Sequence, residues 1–580
     1  MPSENGNRVL AGSLVALQRD QQMVTKVGAW PVVVVWHEGR AYAIEDRCPH
    51  MGFPLHRGTC EAGLLTCHWH HARFDLESGS TLDPWADDAR AFDVELDGDE
   101  VWVSVRSGGD DAARLQRRLR EGLEDGLSLV VAKAVLGLLD AGVTPATLVQ
   151  TGLEFGARNR AAGWGAGLTV LVAVANVLAD VAPADRAVAL IHALVFVSND
   201  TRGNPPHFGV PPLATDALTP ARLAEWYRRF VDTRSADAAE RVLTTALAEG
   251  TPVSDVEAML FAAVTDHVFV DGGHAIDFTN KAIEALGYAG PDIAPLILPT
   301  LVVGTTLSGR SEEGGAWRHP ADLARLVRTA NRALPDAVSS GLDRRGAFHD
   351  VRGLADRLLA EDPDAVVEAL LDALRAGALE EQIGRAVAYA ASLRVQRFHT
   401  QNDFGDWDTV HHTFTAANAL HQGLARTPTV DLLRGAVHGA LSVYLDRFLN
   451  VPSARPPNAE RGSLEALAAC FDVQGAVDEA GQEAYGFLRG GGSRRDLVST
   501  LAHLMLAEDT GFHTYQHFEA CVRQASAWPE GSEEGALILS GGARFLAAHA
   551  PTRRELPTVI TIASRLRRGE PLFEEASATE

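Results

Sequence analysis

The sequence predicts a multidomain protein in which a small all-β domain is followed by a large all-α domain. Residues 8–106 contain β-branched and aromatic runs such as WPVVVVWHEG and DVELDGDEVWVSVR, separated by Gly and Asp turns, a pattern typical of strands. After SGGDD at residues 107–111, which we interpret as a linker, Ala, Leu, Arg and Glu recur at helical spacing, as in LSLVVAKAVLGLLDAG. A chain of 580 residues is also too long for one ordinary core.

The helical region is predicted to contain an internal duplication, with halves at residues 112–340 and 341–555 and a C-terminal tail at 556–580. The sharpest internal match aligns HALVFVSNDTRGNPP, which begins at His192, with HGALSVYLDRFLNVP, which begins at His438. Both segments contain His-x7-Asp-x3-Asn. We interpret the Asp and Asn residues of this pattern as capping residues at helix ends.

Charge and cysteine usage limit the possible partners and compartment. The formal net charge of −24 disfavours nucleic acid and anionic membranes as partners, because the electrostatic interaction would be repulsive. The most hydrophobic passage, AGLTVLVAVANVLADVA, contains Asn176 and Asp180 and is short for a bilayer span, so we predict a buried helix. The first residues lack a secretory pattern, and five cysteines do not suggest a disulfide framework. A cytoplasmic location is therefore expected.

Three of the five cysteines and five of the 21 histidines lie in one stretch, CPHMGFPLHRGTCEAGLLTCHWHH. Within it, Cys48-x-His50 is followed, after sixteen residues, by Cys67-x2-His70. Two thiolates on one iron and two imidazoles on the other are the ligand set of a Rieske [2Fe-2S] centre. This spacing, and the WHHARFDLESG segment at its end, resemble the Rieske family, and the resemblance covers about residues 8–106. The resemblance implies that these four residues bind the cluster.

Zinc is the alternative ligand, since two cysteines and two histidines also satisfy a tetrahedral site. Zinc fingers pair their two cysteines on a compact ββα or ribbon unit. Here each predicted loop mixes one cysteine with one histidine inside an all-β domain, which favours two irons.

The resemblance also indicates a low reduction potential, of the ferredoxin and oxygenase type. Phe53 and Trp69 occupy the positions of the disulfide found in high-potential Rieske proteins, and Ala72 and Phe74 replace a serine and a tyrosine that donate hydrogen bonds there. Fewer donors stabilise the reduced cluster less. His71 occupies a position where those proteins usually have glycine.

We interpret His71 as a solvated residue, with a proton or electron exit toward a partner as the alternative. The remaining Cys and His residues of the stretch match no ligand position, and we interpret them as bystanders: His56, Cys60 and His68.

A second metal site is predicted in the helical region, which is rich in histidine. Asp509, His513 and His517 recur at i, i+4 and i+8, along one face of a predicted helix. His438 lies on an apolar stripe and is predicted to be buried. We predict these four residues as ligands of a non-haem iron or as its surroundings. The alternatives are a hydrogen-bonded core histidine at His438 and a solvated helix face at the other three.

Two comparisons limit this prediction. His274 is the first-half counterpart of His513, but Phe278 replaces the second histidine of that half. The Asp-x2-His-x4-His pattern of ordinary Rieske oxygenases is approached only by Asp408-x2-His411, and Ala416 follows where the second histidine is needed. The sequence is therefore not that of an ordinary Rieske oxygenase.

No nucleotide fingerprint or phosphate loop occurs, so electrons are expected from a separate reductase or ferredoxin. The leading hypothesis is an oxidoreductase that relays single electrons from the cluster to a helical domain, where a small molecule is oxidised at a non-haem iron. The alternative is an electron-transfer module fused to a non-catalytic helical scaffold that docks a partner or senses redox state. No catalytic residue is assigned.

Overall fold

The structure is a computed structural model that describes residues 8–105, 111–214, 218–570 and 572. It divides into two compact units: unit 1 comprises Met1–Thr144 and Leu556–Glu580, and unit 2 comprises Pro145–Glu555. The predicted linker does not separate these units. Residues 107–110 lie outside the described residues, and Asp111 begins a helix that belongs to unit 1.

The strands lie in the first part of unit 1. Their bounds are β1 (Arg8–Ser13), β2 (Gln22–Val27), β3 (Trp30–His37), β4 (Arg40–Glu45), β5 (Thr59–Glu61), β6 (Leu64–Thr66), β7 (Arg73–Asp75), β8 (Ala91–Asp97) and β9 (Glu100–Val105). They form an antiparallel six-stranded sheet in the order β1-β9-β8-β4-β3-β2 and a three-stranded sheet in the order β5-β6-β7. The predicted N-terminal β domain is confirmed, with one short helix added after β1.

The valine run of β3 explains how the larger sheet is buried. Val33 and Val35 pack on one face, in the same apolar cluster as Cys48 and Cys67, whereas Val32 and Val34 pack on the other face. Successive side chains of a strand point to opposite faces. A strand that is covered on both sides therefore shows a continuous apolar run instead of alternation.

The helices account for most of the remaining chain. Their bounds are α1 (Leu14–Asp20), α2 (Asp111–Asp125), α3 (Ser128–Asp140), α4 (Pro145–Arg158), α5 (Ala166–Val177), α6 (Arg186–Thr201), α7 (Pro220–Asp232), α8 (Ala236–Ala248), α9 (Val253–Thr265), α10 (His274–Ala289), α11 (Ala294–Ile297), α12 (Leu301–Leu307), α13 (Leu323–Gly341), α14 (Val351–Leu358), α15 (Pro363–Arg375), α16 (Glu380–Gln396), α17 (Asp406–Arg426), α18 (Val430–Leu445), α19 (Leu464–Cys470), α20 (Val477–Arg489), α21 (Arg494–Leu506), α22 (Phe512–Ser526), α23 (Glu533–Ala548) and α24 (Glu555–Arg567). The predicted helical region is confirmed.

The segment predicted as a C-terminal tail differs from the prediction, because it contains most of α24. Ile560, Ala563 and Leu566 are buried, and their three-residue spacing forms one apolar face. A Cβ atom added to Gly52 would lie 3.1 Å from Leu566 Cδ2. The helix therefore packs against the loop that follows β4, within unit 1.

Four helices meet at the centre of unit 2, and each of two contacting pairs takes one helix from each predicted half. Helix α5 packs against α22, and α10 packs against α17. In the predicted duplication, α5 and α10 belong to the first half and α17 and α22 to the second. Each half therefore contacts the other through equivalent helices. The duplication itself stays a prediction.

Two hydrophobic segments bear on membrane spanning. Helix α5 contains the most hydrophobic passage of the sequence and is almost entirely buried. The run Pro291–Glu313 is long and apolar enough to cross a membrane by length and composition alone, and 56% of its most hydrophobic window is buried. This run is broken into the short helices α11 and α12 and several 3-10 turns. Burial in the core of unit 2 explains why this run is apolar.

Replacing Arg118 with alanine should destabilise unit 1 by about 3 kcal/mol, because the groups that this buried charge pairs with are left without a partner. Arg118 is 7% exposed and donates from Nη2 to the carbonyl oxygens of Pro84 (3.0 Å) and Ala86 (2.7 Å). Hydrogen-exchange mass spectrometry of β8 and β9 in the full chain measures the loss. The exposed Arg117→Ala serves as control, and equal exchange in both variants would contradict the expectation.

Candidate functional site

The four predicted cluster ligands lie in two loops with the same backbone frame. In the first loop, after β4, the Cys48 N–H donates to the Phe53 carbonyl (2.7 Å) and the Gly52 N–H donates to the Cys48 carbonyl (2.7 Å). In the second, between β6 and β7, the Cys67 N–H donates to the Ala72 carbonyl (2.8 Å) and the His71 N–H donates to the Cys67 carbonyl (2.9 Å). Each cysteine therefore begins a tight turn that returns to it.

This shared frame explains the unusual histidine at position 71. Gly52 and His71 are the equivalent fifth residues of the two turns, with φ of +82° and +65°. Both values lie in the left-handed region. Glycine is favoured there because the backbone of a residue with a Cβ atom is strained. His71 adopts the conformation that glycine provides in the first loop, and its side chain is exposed.

The two thiols are close together, and backbone N–H groups surround them. The N–H groups of His50 and Met51 donate to the Cys48 sulfur, and those of Trp69 and His70 donate to the Cys67 sulfur. The hydrogen bond between the thiols raises the pKa of Cys48, and burial raises it further. The same hydrogen bond lowers the pKa of Cys67 to about 6. Backbone donors of this kind stabilise thiolates, the form that binds metal.

The two imidazoles complete a set of four soft donors. The rings of His50 and His70 are 4.8 Å apart between centroids. Burial, with a smaller contribution from Lys133, lowers the pKa of His50 to about 4, so this ring is neutral. Its Nδ1 atom is buried and has no hydrogen-bond partner among the described residues. An unpartnered imidazole nitrogen beside two thiols fits a [2Fe-2S] cluster held by two cysteines and two histidines.

Aromatic rings cover the histidine side of this site. Trp85 lies edge-on to His50, with 4.7 Å between ring centroids, and Trp69 lies 4.7 Å from His70. The rings of Phe53 and Trp69, at the positions of the disulfide in high-potential Rieske proteins, are 6.0 Å apart. An apolar aromatic contact therefore joins the two loops.

A lysine outside the β domain also contacts the first loop, and sequence reasoning missed it. Lys133, on α3, donates from Nζ to the Pro49 carbonyl (2.7 Å) and to Asp87 Oδ2 (2.6 Å). The contact could not be predicted from the sequence. Lys133 lies on α3, which follows the last strand, and no spacing pattern connects it with the first loop. The ammonium places a positive charge beside a ligand loop.

The bystander residues have other partners. His56 Nδ1 lies 2.7 Å from Asp46 Oδ2, and His68 Nε2 lies 3.2 Å from Thr59 Oγ1. Cys60 is half-buried on β5 and is a free thiol.

A separate group of three histidines lies in unit 2, where three central helices meet. His274 begins α10, His412 lies in the second turn of α17, and His513 lies in the first turn of α22. One nitrogen atom from each ring lies within 4.8 Å of the other two. His412 Nε2 and His513 Nε2 are 3.1 Å apart, and His513 Nδ1 is 3.1 Å from Asp408 Oδ1. All three rings are half-buried.

The environment keeps these imidazoles neutral. Burial, and next the nearby His513, lower the pKa of His274 to about 4. Burial, and next the nearby His274, lower the pKa of His412 to about 3. Burial also lowers the pKa of His513, although Asp408 opposes this shift. Neutral imidazoles with free lone pairs are metal ligands.

A fully buried pair of histidines lies next to this group. The Nδ1 atoms of His411 and His517 are 3.3 Å apart, and the His517 ring stacks on Phe545 with 3.9 Å between centroids. The His411 ring is 4.7 Å from that of His513. Both His411 and His412 therefore lie beside His513, but only His412 belongs to the three-histidine group.

The structure brings the predicted metal residues of the helical region only partly together. Of the four, only His513 belongs to the three-histidine group among the described residues. Helix α22 begins at Phe512, so Asp509 precedes the helix and does not share its face; it accepts a hydrogen bond from the Glu555 N–H (2.6 Å). His517 lies one turn deeper, against His411.

His438 is buried, as predicted, but it lies elsewhere. It belongs to α18 and lines a small cavity of about 20 Å³ with apolar residues of α9, α10 and α17. Its Nε2 atom has no partner among the described residues.

A line of buried polar groups continues from the three histidines into the bundle. One turn beyond His274 and His513, Gln516 Nε2 donates to Asp277 Oδ2 (2.6 Å). One further turn along, Lys281 Nζ lies 3.2 Å from Glu519 Oε2 and 3.4 Å from Glu284 Oε2. The Lys281–Glu519 ion pair connects α10 with α22, the helices that carry two of the three histidines.

Comparison with known proteins identifies the first site. Residues 7–92 match the family model of the Rieske [2Fe-2S] domain. Apoptosis-inducing factor 3 of Homo sapiens is 31% identical over 105 residues, which cover 18% of this chain and 17% of that protein. This chain therefore spans about a sixth of the length of that relative.

Two shorter relatives are covered more fully. The ferredoxin component of the alkene monooxygenase system of Xanthobacter autotrophicus is 33% identical over 83 residues, 14% of this chain and 68% of that protein. The ferredoxin component of biphenyl 2,3-dioxygenase of Rhodococcus jostii is 32% identical over 82 residues, 14% and 77%. Among solved structures, the ferredoxin of carbazole 1,9a-dioxygenase from Nocardioides aromaticivorans is 29% identical and covers 17% of this chain and 99% of that chain, with a TM-score of 0.17.

Replacing His71 with glycine should stabilise unit 1 by about 1 kcal/mol, because the left-handed backbone of this turn is strained for a residue with a Cβ atom. Thermal unfolding followed by visible circular dichroism of the bound cluster measures the gain. His71→Ala is the matched control and should give none, since alanine keeps the strain. An equal gain in both variants would assign the effect to the imidazole instead of the backbone.

The cluster should have a midpoint potential at the low end of the Rieske range, and Ala72→Ser should raise it, because a hydroxyl donor stabilises the reduced form. A redox titration followed by electron paramagnetic resonance measures both. Ala72→Val adds volume without a donor and should leave the potential unchanged. A potential that rises equally with valine would show that the missing hydroxyl is not the cause.

Proposed function

The chain belongs to the Rieske [2Fe-2S] domain family through residues 7–92, and from this premise we propose that it is an oxidoreductase whose cluster passes single electrons to a non-haem metal in unit 2. Two relatives that this chain covers over more than two thirds of their length are ferredoxin components of oxygenase systems. The three-histidine group is the single observation that carries the second half of the proposal.

The residues of the first site are suited to hold a cluster and to keep it in place. Cys48 and Cys67 would bind one iron, and His50 and His70 the other; when bound, the cluster supplies one-electron transfer. The backbone N–H groups around each sulfur stabilise negative charge there. Trp85 packs against His50 and Trp69 against His70, and Lys133 holds the first loop through the Pro49 carbonyl.

The second site offers the donors that iron uses in oxygen-dependent enzymes. His274, His412 and His513 come from three different helices and remain neutral, and Asp408 supplies a carboxylate 3.1 Å from His513. Imidazole and carboxylate sets with open positions are typical of non-haem iron, which supplies dioxygen activation when bound. The half-buried rings leave the group accessible to a small molecule.

The number of electrons that such an oxidation consumes is compatible with a donor that supplies one electron at a time. Insertion of one oxygen atom into a C–H bond consumes the substrate, O₂, two electrons and two protons, and yields an alcohol and one water. The cluster delivers these two electrons one at a time. A separate cytoplasmic reductase or ferredoxin is the proposed donor, since no nucleotide fingerprint occurs in the sequence.

Metal analysis of the purified full chain tests the proposal. We expect a third metal atom per chain beyond the two irons of the cluster, and iron as that atom. His513→Ala should remove the third metal and leave the visible spectrum of the cluster unchanged, whereas Cys48→Ser should remove the cluster. His503→Ala, an exposed histidine on α21, is the matched control and should retain all metals.

The opposite result favours the second candidate, an electron-transfer module on a non-catalytic scaffold. Two irons per chain in the wild-type protein, with no loss in His513→Ala, would contradict the second metal. The family membership of residues 7–92 would be unaffected by that outcome.

A further inference from the structure

A cavity of about 260 Å³ lies within unit 2, at a place that the proposed electron transfer does not use. The end of α4, the start of α5 and the end of α6 form its walls, together with the RAAGWG loop between α4 and α5. The residues that matter for its chemistry are Arg160, Trp164, Leu168, Val197 and Asp200.

The charge in this cavity comes from a buried arginine that forms a long ion pair with Glu240, without a hydrogen bond between them. Arg160 is 8% exposed. Its Nη1 donates to the Ala157 carbonyl (2.9 Å), and its Nη2 lies 3.9 Å from Glu240 Oε1, beyond hydrogen-bond distance. The Nε of Arg160 and the Oε1 of Glu240 have no hydrogen-bond partner among the described residues. Such a buried cation is costly unless an anion pairs with it.

Burial lowers the pKa of Arg160, which agrees with a guanidinium that the protein itself compensates incompletely. Arginine presents planar pairs of N–H donors that match a carboxylate. The unpaired donors and the neighbouring cavity thus both point to an anionic ligand group.

The carboxylate of Asp200 does not provide that anion. Its Oδ2 accepts a hydrogen bond from the Gly167 N–H (2.5 Å), in the first turn of α5. A Cβ atom at Gly165 would lie 2.7 Å from the same oxygen, so a glycine is needed for this contact. Asp200 therefore occupies the N-terminus of α5, which leaves Arg160 as the anion-binding group of the cavity.

The other walls are apolar and rigid. Leu168 and Val197 are buried, and Trp164 is held at both its backbone and its ring. The Trp164 N–H donates to the Thr300 carbonyl (2.8 Å), and its Nε1 donates to Thr169 Oγ1 (2.8 Å). Apolar walls with one convergent charged group are typical of small-molecule sites.

We propose that this cavity binds a small organic carboxylate, with the carboxylate on Arg160 and an apolar body against Trp164, Leu168 and Val197. This inference goes beyond the proposed electron transfer and does not depend on either metal site. A phosphate would lack contacts to the apolar walls, and a neutral ligand would leave the guanidinium without a hydrogen-bonded anion.

Isothermal titration of the full chain with benzoate tests the proposal, with benzamide and acetate as comparisons. Benzoate should bind saturably and quench Trp164 fluorescence, a signal that Trp164→Phe removes. Benzamide should bind about tenfold or more weakly, since it loses the charged hydrogen bond, and acetate should bind weakly because it lacks the apolar body. Absence of benzoate binding, or equal binding of benzamide, would overturn the proposal.

Variants separate ligand binding from a structural role of the arginine. Arg160→Met should abolish benzoate binding and should also lower the thermal midpoint of the ligand-free protein, because Glu240, which is 7% exposed, loses its counter-ion. Arg158→Gln, an exposed residue of α4, is the control and should bind normally. A lower midpoint in Arg160→Met with benzoate binding retained would make Arg160 structural and overturn the assignment. If Arg160→Met does not fold, Arg160→Lys should still bind benzoate more tightly than benzamide.

Discussion

The ammonium of Lys281 is the group on which the centre of the helical unit depends. It has no exposed surface, and its partners Glu519 and Glu284 are 1% and 8% exposed. A charge buried this deeply is stable only while its partners stay within reach. Glu284 is on α10 itself, so the Lys281–Glu519 ion pair is the one that fixes how α10 lies against α22. His274 and His513 are carried by those two helices. The positions of their imidazoles therefore follow from a charge interaction in the core.

The cluster site depends on backbone geometry instead. Each ligand pair lies within one short turn, and both turns close through the same hydrogen bonds around Cys48 and Cys67. The donors of one loop are thus local in sequence, and their spacing alone predicts them. The strand pattern of residues 8–106 is equally local. This is why the β domain could be predicted from the sequence and four residues proposed as its cluster ligands, whereas the contact from Lys133 on α3 could not be predicted.

The helical site could be predicted only in part, because its residues come from separate helices. His412 and His513 are 101 positions apart, and no spacing rule connects them. The predicted helix face failed at Asp509, since α22 starts three residues later at Phe512. His274 was predicted as the counterpart of His513 but lacked a second histidine in its own half, where Phe278 stands. Its missing partner is supplied by α17, from the other predicted half, and periodicity cannot reveal that.

Helix α24 makes unit 1, which contains the cluster site, discontinuous in the chain. Residues 145 to 555 separate it from the rest of unit 1, yet Leu566 packs beside Gly52 in the first ligand loop. Contacts between segments so distant in sequence form late, because closing a long loop costs entropy. A ribosome releases α24 only after all of unit 2 has been synthesised. Unit 1 therefore reaches its final packing around the cluster loops only after residues 145–555 have been translated.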